Sequence, residues 1–405
     1  MSSDSVLANT DIVVVGAGLS GLCTAWELRQ RGFGVVVVEQ RFPAYGASGR
    51  NPGALWLQTR RSGLELGLAR HGKRKYEEYV SIVGDVFDYR CEGGLFFFET
   101  EEQGAVLQSY VQDRRAAGLE IEMLDHAAAA KKSRVLPRSA IGAVFCADDA
   151  QVDSLQFISA IEAACIRAGV RVFRNTAVLT TLRDRDQAIG VRTVRGDVLA
   201  SGVVWATGAW AKTLISEGIH VPVQTVRIGQ LMMQPVETGT TPLLHGPQGV
   251  HGSGALVELA DFDPEAFATP LSGEGDGAYE SYNDTAMLNR AGALYVGHSI
   301  DGRGSLNPHI SLASTNVMAA LAAERYPSYS DHGVTGLWAG LGSETPDQLP
   351  IVGRIDSIYL NVGHDWGVSS APACAEVLAA IVAGETNEFG AALAPDRAAL
   401  QGATD

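Results

Sequence analysis

Residues 11–39 constrain this chain more than any other stretch. Asp11-Ile-Val-Val-Val15 is a β-branched run of strand length that passes directly into Gly16-Ala-Gly18-Leu-Ser-Gly21, a G-x-G-x-x-G turn. A helical segment from Leu19 to Arg31 follows, with Leu22, Ala25, Trp26 and Leu28 on one side. Gly32 stands where a left-handed terminating glycine belongs. A second apolar strand, Val35-Val-Val-Val38, ends in Glu39. The order strand, turn, helix, strand, acid is a complete βαβ unit. Gly16 permits the tight turn, Gly18 lets the backbone approach a pyrophosphate, and Gly21 lets the helix close on the strand. The helix start offers free N–H groups and a partial positive charge to phosphates. Glu39 falls at the distance where an acid accepts from a ribose hydroxyl, and its charge disfavours a 2′-phosphate. Gln40 and Arg41 continue that edge.

The glycine-rich loop Gly46-Ala-Ser-Gly-Arg-Asn-Pro-Gly53 comes next. Its backbone suits closure around a large ligand, with Ser48, Arg50, Asn51 and Gly53 as candidate contacts. Helical periodicity covers 62–83, 101–117 and 125–132, and buried-strand patterns cover 93–98 and 142–146. Residues 153–169 form an amphipathic helix with Leu155, Ile158, Ile161 and Cys165 on one face and Asp153 as its N-cap. Strands at 170–173 and 177–182, a hairpin at 189–199 and a strand at 203–206 lead into Thr207-Gly208-Ala209-Trp210. This second strand-to-turn crossover makes Val178, Ala206, Thr207, Gly208 and Trp210 further dinucleotide contacts. From 221 to 326 the pattern changes to short alternating strands (230–235, 255–259, 293–297) with long loops. The last segment returns through strands at 334–342 and 359–362. It then passes through Gly363-His-Asp-Trp-Gly367 into a helix with Val368, Ala371, Ala375, Leu378 and Ile381 on one face. The expected class is α/β: a Rossmann-type dinucleotide-binding domain (1–85, 145–220 and 330–405) interleaved with a mainly antiparallel α+β substrate domain (86–144 and 221–329).

At 405 residues the chain is long enough for two such cores. A net charge of −15 argues against nucleic acid and anionic membranes as partners. The five cysteines are scattered, with no C-x-x-C, so neither zinc nor a disulfide framework is expected. The N-terminus has no apolar signal segment and no run reaches membrane-spanning length, so a cytoplasmic enzyme is expected.

Taken in order, these pieces resemble the D-amino-acid oxidase / glycine oxidase / sarcosine oxidase family of FAD-dependent amine oxidoreductases. The resemblance covers nearly the whole chain. It is carried by Gly16-x-Gly18-x-x-Gly21 with Glu39, Ala47 to Gly53, Trp205-Ala-Thr-Gly-Ala-Trp210, Trp338 to Asp347 with Pro350 to Gly353, and Gly363 to Gly367. The opine and imino-acid branch, whose members can work with partner subunits, is closest in flavour; a homo-oligomer or a partner redox subunit is compatible with it. The resemblance implies FAD and oxidation of a C–N bond in a small amine, amino acid or imino acid. Hydride passes to the flavin and the resulting imine hydrolyses. Gly363, His364, Trp366, Gly367 and Val368 would meet the flavin ring, with Trp210 and Trp366 as candidate walls.

Two departures from the family matter. The arginine with which many relatives clamp a substrate carboxylate is replaced, at the matching position, by Gly342. Either another cation substitutes (Arg50, Arg290 and Arg303 are candidates) or the substrate lacks an ordinary α-carboxylate. The sites of covalent flavin attachment are also missing, so FAD is expected to be held non-covalently. For catalysis the candidates are His251, where relatives place a lysine that assists oxygen reactivity, and Tyr282, His298, His364 and Arg303. Two other readings stand beside this one. A flavin monooxygenase would carry a different C-terminal flavin motif, and an FAD-binding electron-transfer subunit would bind flavin without being reduced by an amine.

Overall fold

The computed structural model describes residues 5–401 apart from 238, 251–253 and 268–280. The βαβ unit forms as its sequence dictates, with strands at Val6–Val15 and Val35–Val38 flanking the helix Leu19–Gln30. These strands lie in a sheet whose order is Ile351–Ile355, Ile358–Val362, Gly196–Trp205, Val6–Val15, Val35–Val38, Arg171–Phe173. The four pairings from Ile358–Val362 to Arg171–Phe173 are parallel, and that of Ile351–Ile355 with Ile358–Val362 is antiparallel. The unbroken valine runs follow from burial on both faces. Val14 and Val37 point into a core with Leu22, Phe157, Ile161 and Leu378. Val13, Val15, Val36 and Val38 point the other way, against Trp205, Leu214 and Leu360. Burying each such side chain stabilises the fold by about 1.5–3 kcal/mol relative to leaving it in water.

A second eight-stranded sheet has the order Val334–Glu344, Gln224–Pro235, Ala293–Asp301, Ser281–Leu288, Leu243–His245, Gly94–Phe98, Gly142–Cys146, Ile121–Asp125. All its pairings are antiparallel except that between Leu243–His245 and Gly94–Phe98. One face packs on Tyr326 and Ala322 through Leu231, Leu244, Leu294 and Val296. The chain therefore runs first sheet, second, first, second and first again, crossing between them four times. Within 330–405, assigned above to the nucleotide part, the strand Val334–Glu344 pairs into the second sheet, and the chain rejoins the first only at Ile351.

Two local expectations need correction. Residues 255–259 form turns, not a strand, because their backbone is tied elsewhere: the Ala255 N–H donates to the Thr59 carbonyl (2.9 Å) and that of Leu259 to Leu256 (3.2 Å). In the helix Ser154–Arg167 the buried face is Phe157, Ile158, Ile161 and Cys165, while Leu155 is exposed at the first turn. Asp153 is the N-cap, accepting from the Gln156 N–H. After Trp205 the chain continues as a 3-10 helix, Gly208–Glu217.

Candidate active site

The first sheet and the second sheet's inner face enclose a cavity of about 820 Å³. Its floor begins at the glycine turn. Gly16 has φ +106°, and a Cβ there would stand 2.5 Å from the Ala206 carbonyl oxygen. A Cβ on Gly21 would meet the Gly16 oxygen at 1.9 Å. Only glycine lets helix, turn and neighbouring strand approach this closely. The helix Leu19–Gln30 starts at Gly18 with no side-chain cap and no acid in its first turn, so its positive end faces the cavity. Ser48 steadies the turn by accepting from the Leu19 N–H (3.0 Å). Glu39 is buried, and its two carboxylate oxygens accept from the Ala17 and Arg41 N–H groups, each at 2.9 Å. Burial raises its pKa, against those N–H groups.

Two polar atoms near this end are buried without a hydrogen-bond partner among the described residues: the Trp205 indole nitrogen Nε1 and the Thr207 hydroxyl. Both residues line the cavity. Orphaned donors are costly in an interior, and a dinucleotide's ribose and phosphate oxygens are the groups they would satisfy. The cradle thus fits FAD on its own atoms. Gln40, Ser48, Asn51, Val178, Ala206, Gly208 and Trp210 also line it. Arg41 and Gly53 do not. Arg41 is exposed with its guanidinium 5.6 Å from the Tyr45 ring centre, and Gly53 serves backbone packing against Val152.

At the other end the helix Gly367–Ala383 opens toward the cavity, again without a cap or first-turn acid. His364, Trp366, Gly367 and Val368 line it, whereas Gly363 lies behind, against Thr345. Both His364 ring nitrogens are engaged, Nδ1 with Ser370 Oγ (3.0 Å) and Nε2 with Asn361 Oδ1 (2.9 Å). Burial lowers its pKa to about 4, so the ring is neutral and acts to hold the turn. The Trp366 indole donates to the Gln348 carbonyl (3.0 Å).

The candidate catalytic residues divide. His251 lies outside the described residues. Tyr282 does not line the cavity; it is buried with Met318 and Leu321 on the far face of its strand. The two-residue period of the strand Ser281–Leu288 explains this, since Ser281, Asn283, Thr285 and Met287 face inward and Tyr282 cannot. His298 lines the cavity, its pKa lowered to about 4 by burial and by His245. Arg303 also lines it but is ion-paired with Glu344.

Gly342 lines the cavity, and a side chain there would press on Ile228 and Val226, each 3.0 Å from its Cβ. Of the proposed substitute cations, Arg290 is exposed and paired with Asp88 (2.8 Å) and Asp85 (3.4 Å), away from the cavity. Arg50 lines the cavity, but its guanidinium donates to the Ala339 and Tyr45 carbonyls (2.9 and 3.0 Å). Sequence reasoning missed Arg60, which lines the cavity with its guanidinium 5.1 Å from the Trp366 ring centre. It also missed Asp365, and an aromatic wall in which His245 packs 4.7 Å from Phe96 and 6.0 Å from Trp56, ring centre to ring centre. Among the described residues no group of three His, Cys, Asp or Glu side chains is arranged to hold a metal ion, and no helix is long and apolar enough to cross a membrane.

Comparison with known proteins agrees with this geometry. The chain is 27% identical over 394 residues to a glycine oxidase of Pseudomonas aeruginosa, covering 92% of this chain and 94% of that one. It is 23% identical over 439 residues to a D-amino acid dehydrogenase of Rhizobium rhizogenes, covering 93% and 97%. The crystal structure of a glycine oxidase from Geobacillus kaustophilus superposes with a TM-score of 0.80 at 20% identity, covering 96% of this chain and 99% of that one. The family model described as "FAD dependent oxidoreductase" matches residues 11–381. With its glycine turn, its orphaned donors and its second capless helix all facing one cavity, the chain belongs to the DAO family of FAD-dependent oxidoreductases.

Proposed function

We propose that this protein oxidises the C–N bond of an amine, amino acid or imino acid, releasing an imine that hydrolyses. The observation that carries this reading is the continuity of the cavity. It runs from the phosphate-binding turn, past the start of the helix Gly367–Ala383, to the inner face of the second sheet. FAD, when bound, supplies the two-electron acceptor. The chain's own residues supply the room beside it. Phe96, Tyr110, Trp56 and Met287 wall that room and displace water. His245 and His298, each lowered to about 4 by burial, remain neutral there and add polarity without a competing positive charge. An amine entering so dry a space loses the hydration that favours its ammonium form, which moves it toward the neutral species that oxidation requires.

Non-covalent FAD is part of the proposal. No cysteine lines the cavity among the described residues, and both His364 nitrogens are already engaged. Five free thiols, four of them buried, support a reducing, cytoplasmic setting. The test is an anaerobic screen of the purified holoenzyme for flavin bleaching by amines, imino acids, opines and both enantiomers of common amino acids. Bleaching by at least one class is expected; a flavin that no member of the panel reduces would overturn the reading. Hits repeated in air separate an oxidase from a dehydrogenase.

A further inference from the structure

The cavity holds two opposite charges that do not pair with each other. Among the described residues no carboxylate lies within 4.0 Å of the Arg60 guanidinium, whose hydrogen bonds go only to the neighbouring Thr59 hydroxyl (2.9 and 3.3 Å). Asp365 makes no hydrogen bond or ion pair at all within that set. The acids that would otherwise neutralise Arg60 are committed. Glu65 is held by the Arg61 side chain at 2.5 and 2.8 Å and by the Arg61 N–H at 2.8 Å. Asp149 accepts from the Leu57 and Gln58 N–H groups (2.6 and 3.0 Å) and from Gln58 Nε2 (2.6 Å). That clamp also fixes the segment carrying Arg60. The Tyr110 hydroxyl donates to the Gln58 carbonyl (2.6 Å), and Arg114 Nη1 donates to the Arg60 carbonyl (2.6 Å). On the other side, Asp365 lines the same cavity as Arg60, Glu65, Glu344 and Arg303, whose charges act on it, and Arg303 is ion-paired with Glu344. The adjacent His364 is neutral.

We propose that Arg60 and Asp365 together receive a zwitterion: the guanidinium holds the substrate's α-carboxylate, and the Asp365 carboxylate receives the ammonium and takes one proton from it. The proposal rests on the C–N oxidation reading and decides between its two branches, in favour of a relocated cation and a substrate that keeps its carboxylate. In the proton step an ammonium and a carboxylate become a neutral amine and a carboxylic acid. No charge is left over, and the amine nitrogen regains its lone pair. Burial drives the step in this direction, because both products are neutral and both reactants are charged. The same burial raises Asp365 to about 6, with Glu344 and Glu65 reinforcing it and Arg60 and Arg303 opposing it, and lowers Arg60. Each is therefore a charge waiting for a partner. Trp366, under Arg60, ties this corner to the start of the helix Gly367–Ala383.

The experiment uses the holoenzyme and matched pairs, alanine with ethylamine and phenylalanine (both enantiomers) with phenethylamine, in anaerobic flavin reduction. Titration of the flavin spectrum with benzoate reports carboxylate binding without turnover. Wild type is expected to favour each acid over its decarboxylated partner and to bind benzoate. R60M is expected to weaken benzoate and acid binding roughly 10- to 100-fold, the range for losing a charge-assisted hydrogen bond, with amine binding unchanged. R60K is expected to restore part of it, and flavin content checks that both variants fold. D365N is expected to keep benzoate binding but to make reduction climb about tenfold per pH unit above neutrality, as the free amine replaces the enzyme's own base. Benzoate affinity unaltered in R60M, or a wild-type pH profile in D365N, would overturn the proposal. So would amines that reduce the flavin as well as their acids, an outcome that leaves C–N oxidation standing. A flavin reduced by no member of the wider amine panel, with benzoate still bound through Arg60, would sink the oxidation reading instead.

Discussion

Gly21→Ala is the sharpest perturbation of the cofactor cradle, because the added atom has nowhere to go. Its Cβ would stand 1.9 Å from the Gly16 oxygen and 2.9 Å from the Gly16 carbon, where real Cβ contacts stay beyond 3.0 Å. The helix start must withdraw by more than an ångström, or the turn must open. The turn is not free to do so, since the Gly16 N–H is tied to the Val38 carbonyl at 2.8 Å. Overpacking of this kind costs about 1–3 kcal/mol, and alanine's helix propensity returns about 1 kcal/mol of that. A net loss of up to about 2 kcal/mol is expected in urea unfolding of the apoprotein. The same withdrawal moves the helix N–H groups away from the phosphates, so FAD affinity, read by flavin fluorescence, is expected to fall tenfold or more, about 1.4 kcal/mol. Gly32→Ala is the control. Gly32 has φ +90°, yet no atom lies within 4 Å of its would-be Cβ. It should therefore lose about 1–2 kcal/mol of stability to backbone strain and leave FAD affinity alone. If the two variants bind FAD equally well, the steric account of the turn is wrong.

Other outcomes follow from the same cavity. Thr207→Val removes a buried hydroxyl that has no partner among the described residues; FAD affinity should drop roughly tenfold while the apoprotein holds or gains stability, and unchanged affinity would show that the hydroxyl does not serve the cofactor. Acid precipitation should release all the flavin into the supernatant, and colour left in the pellet would show covalent attachment. Burial raises Asp149 from 3.8 to about 6 in the folded protein. Protonation thus favours the fold, and this group's stabilisation is complete below about pH 4 and lost as pH rises through 6. Asp149→Asn should flatten the fall in stability between about pH 4 and 6, and only in part, because Asp284 and Asp365 are raised to about 6 as well. A slope identical to wild type would refute this.

The nucleotide half of the site was legible because its chemistry is local. A turn, a helix start and a strand-end acid sit within 29 residues of one another, and backbone geometry demands glycine at named positions. The substrate half is not local. Arg60 and Arg61 are adjacent and indistinguishable in sequence; Glu65 captures Arg61, and only the folded neighbourhood reveals which guanidinium is left over. Tyr282 lies off the cavity for a related reason, since a strand's period separates two faces without saying which one meets a ligand. His245 and Phe96 come from strands far apart in the chain that are brought side by side only by the pairing of Leu243–His245 with Gly94–Phe98. The Thr345-Pro-Asp347 element, part of one stretch that carries the family resemblance, has an architectural role. Asp347 binds Arg397 at 2.7 and 2.9 Å and fastens the C-terminal segment, which holds Asp347 below its ordinary pKa.

The fourfold weaving of one chain through two sheets has a consequence for how this molecule can be taken apart. A single cut anywhere between the first strand and the last divides the first sheet, and at least one fragment then owns strands from both layers. Expression of an isolated nucleotide-binding half should yield an unstable product, and a nicked molecule should stay assembled until denatured. Insertions and permuted ends belong in hairpin tips such as Arg185–Asp186, where the backbone can be opened without unthreading either layer.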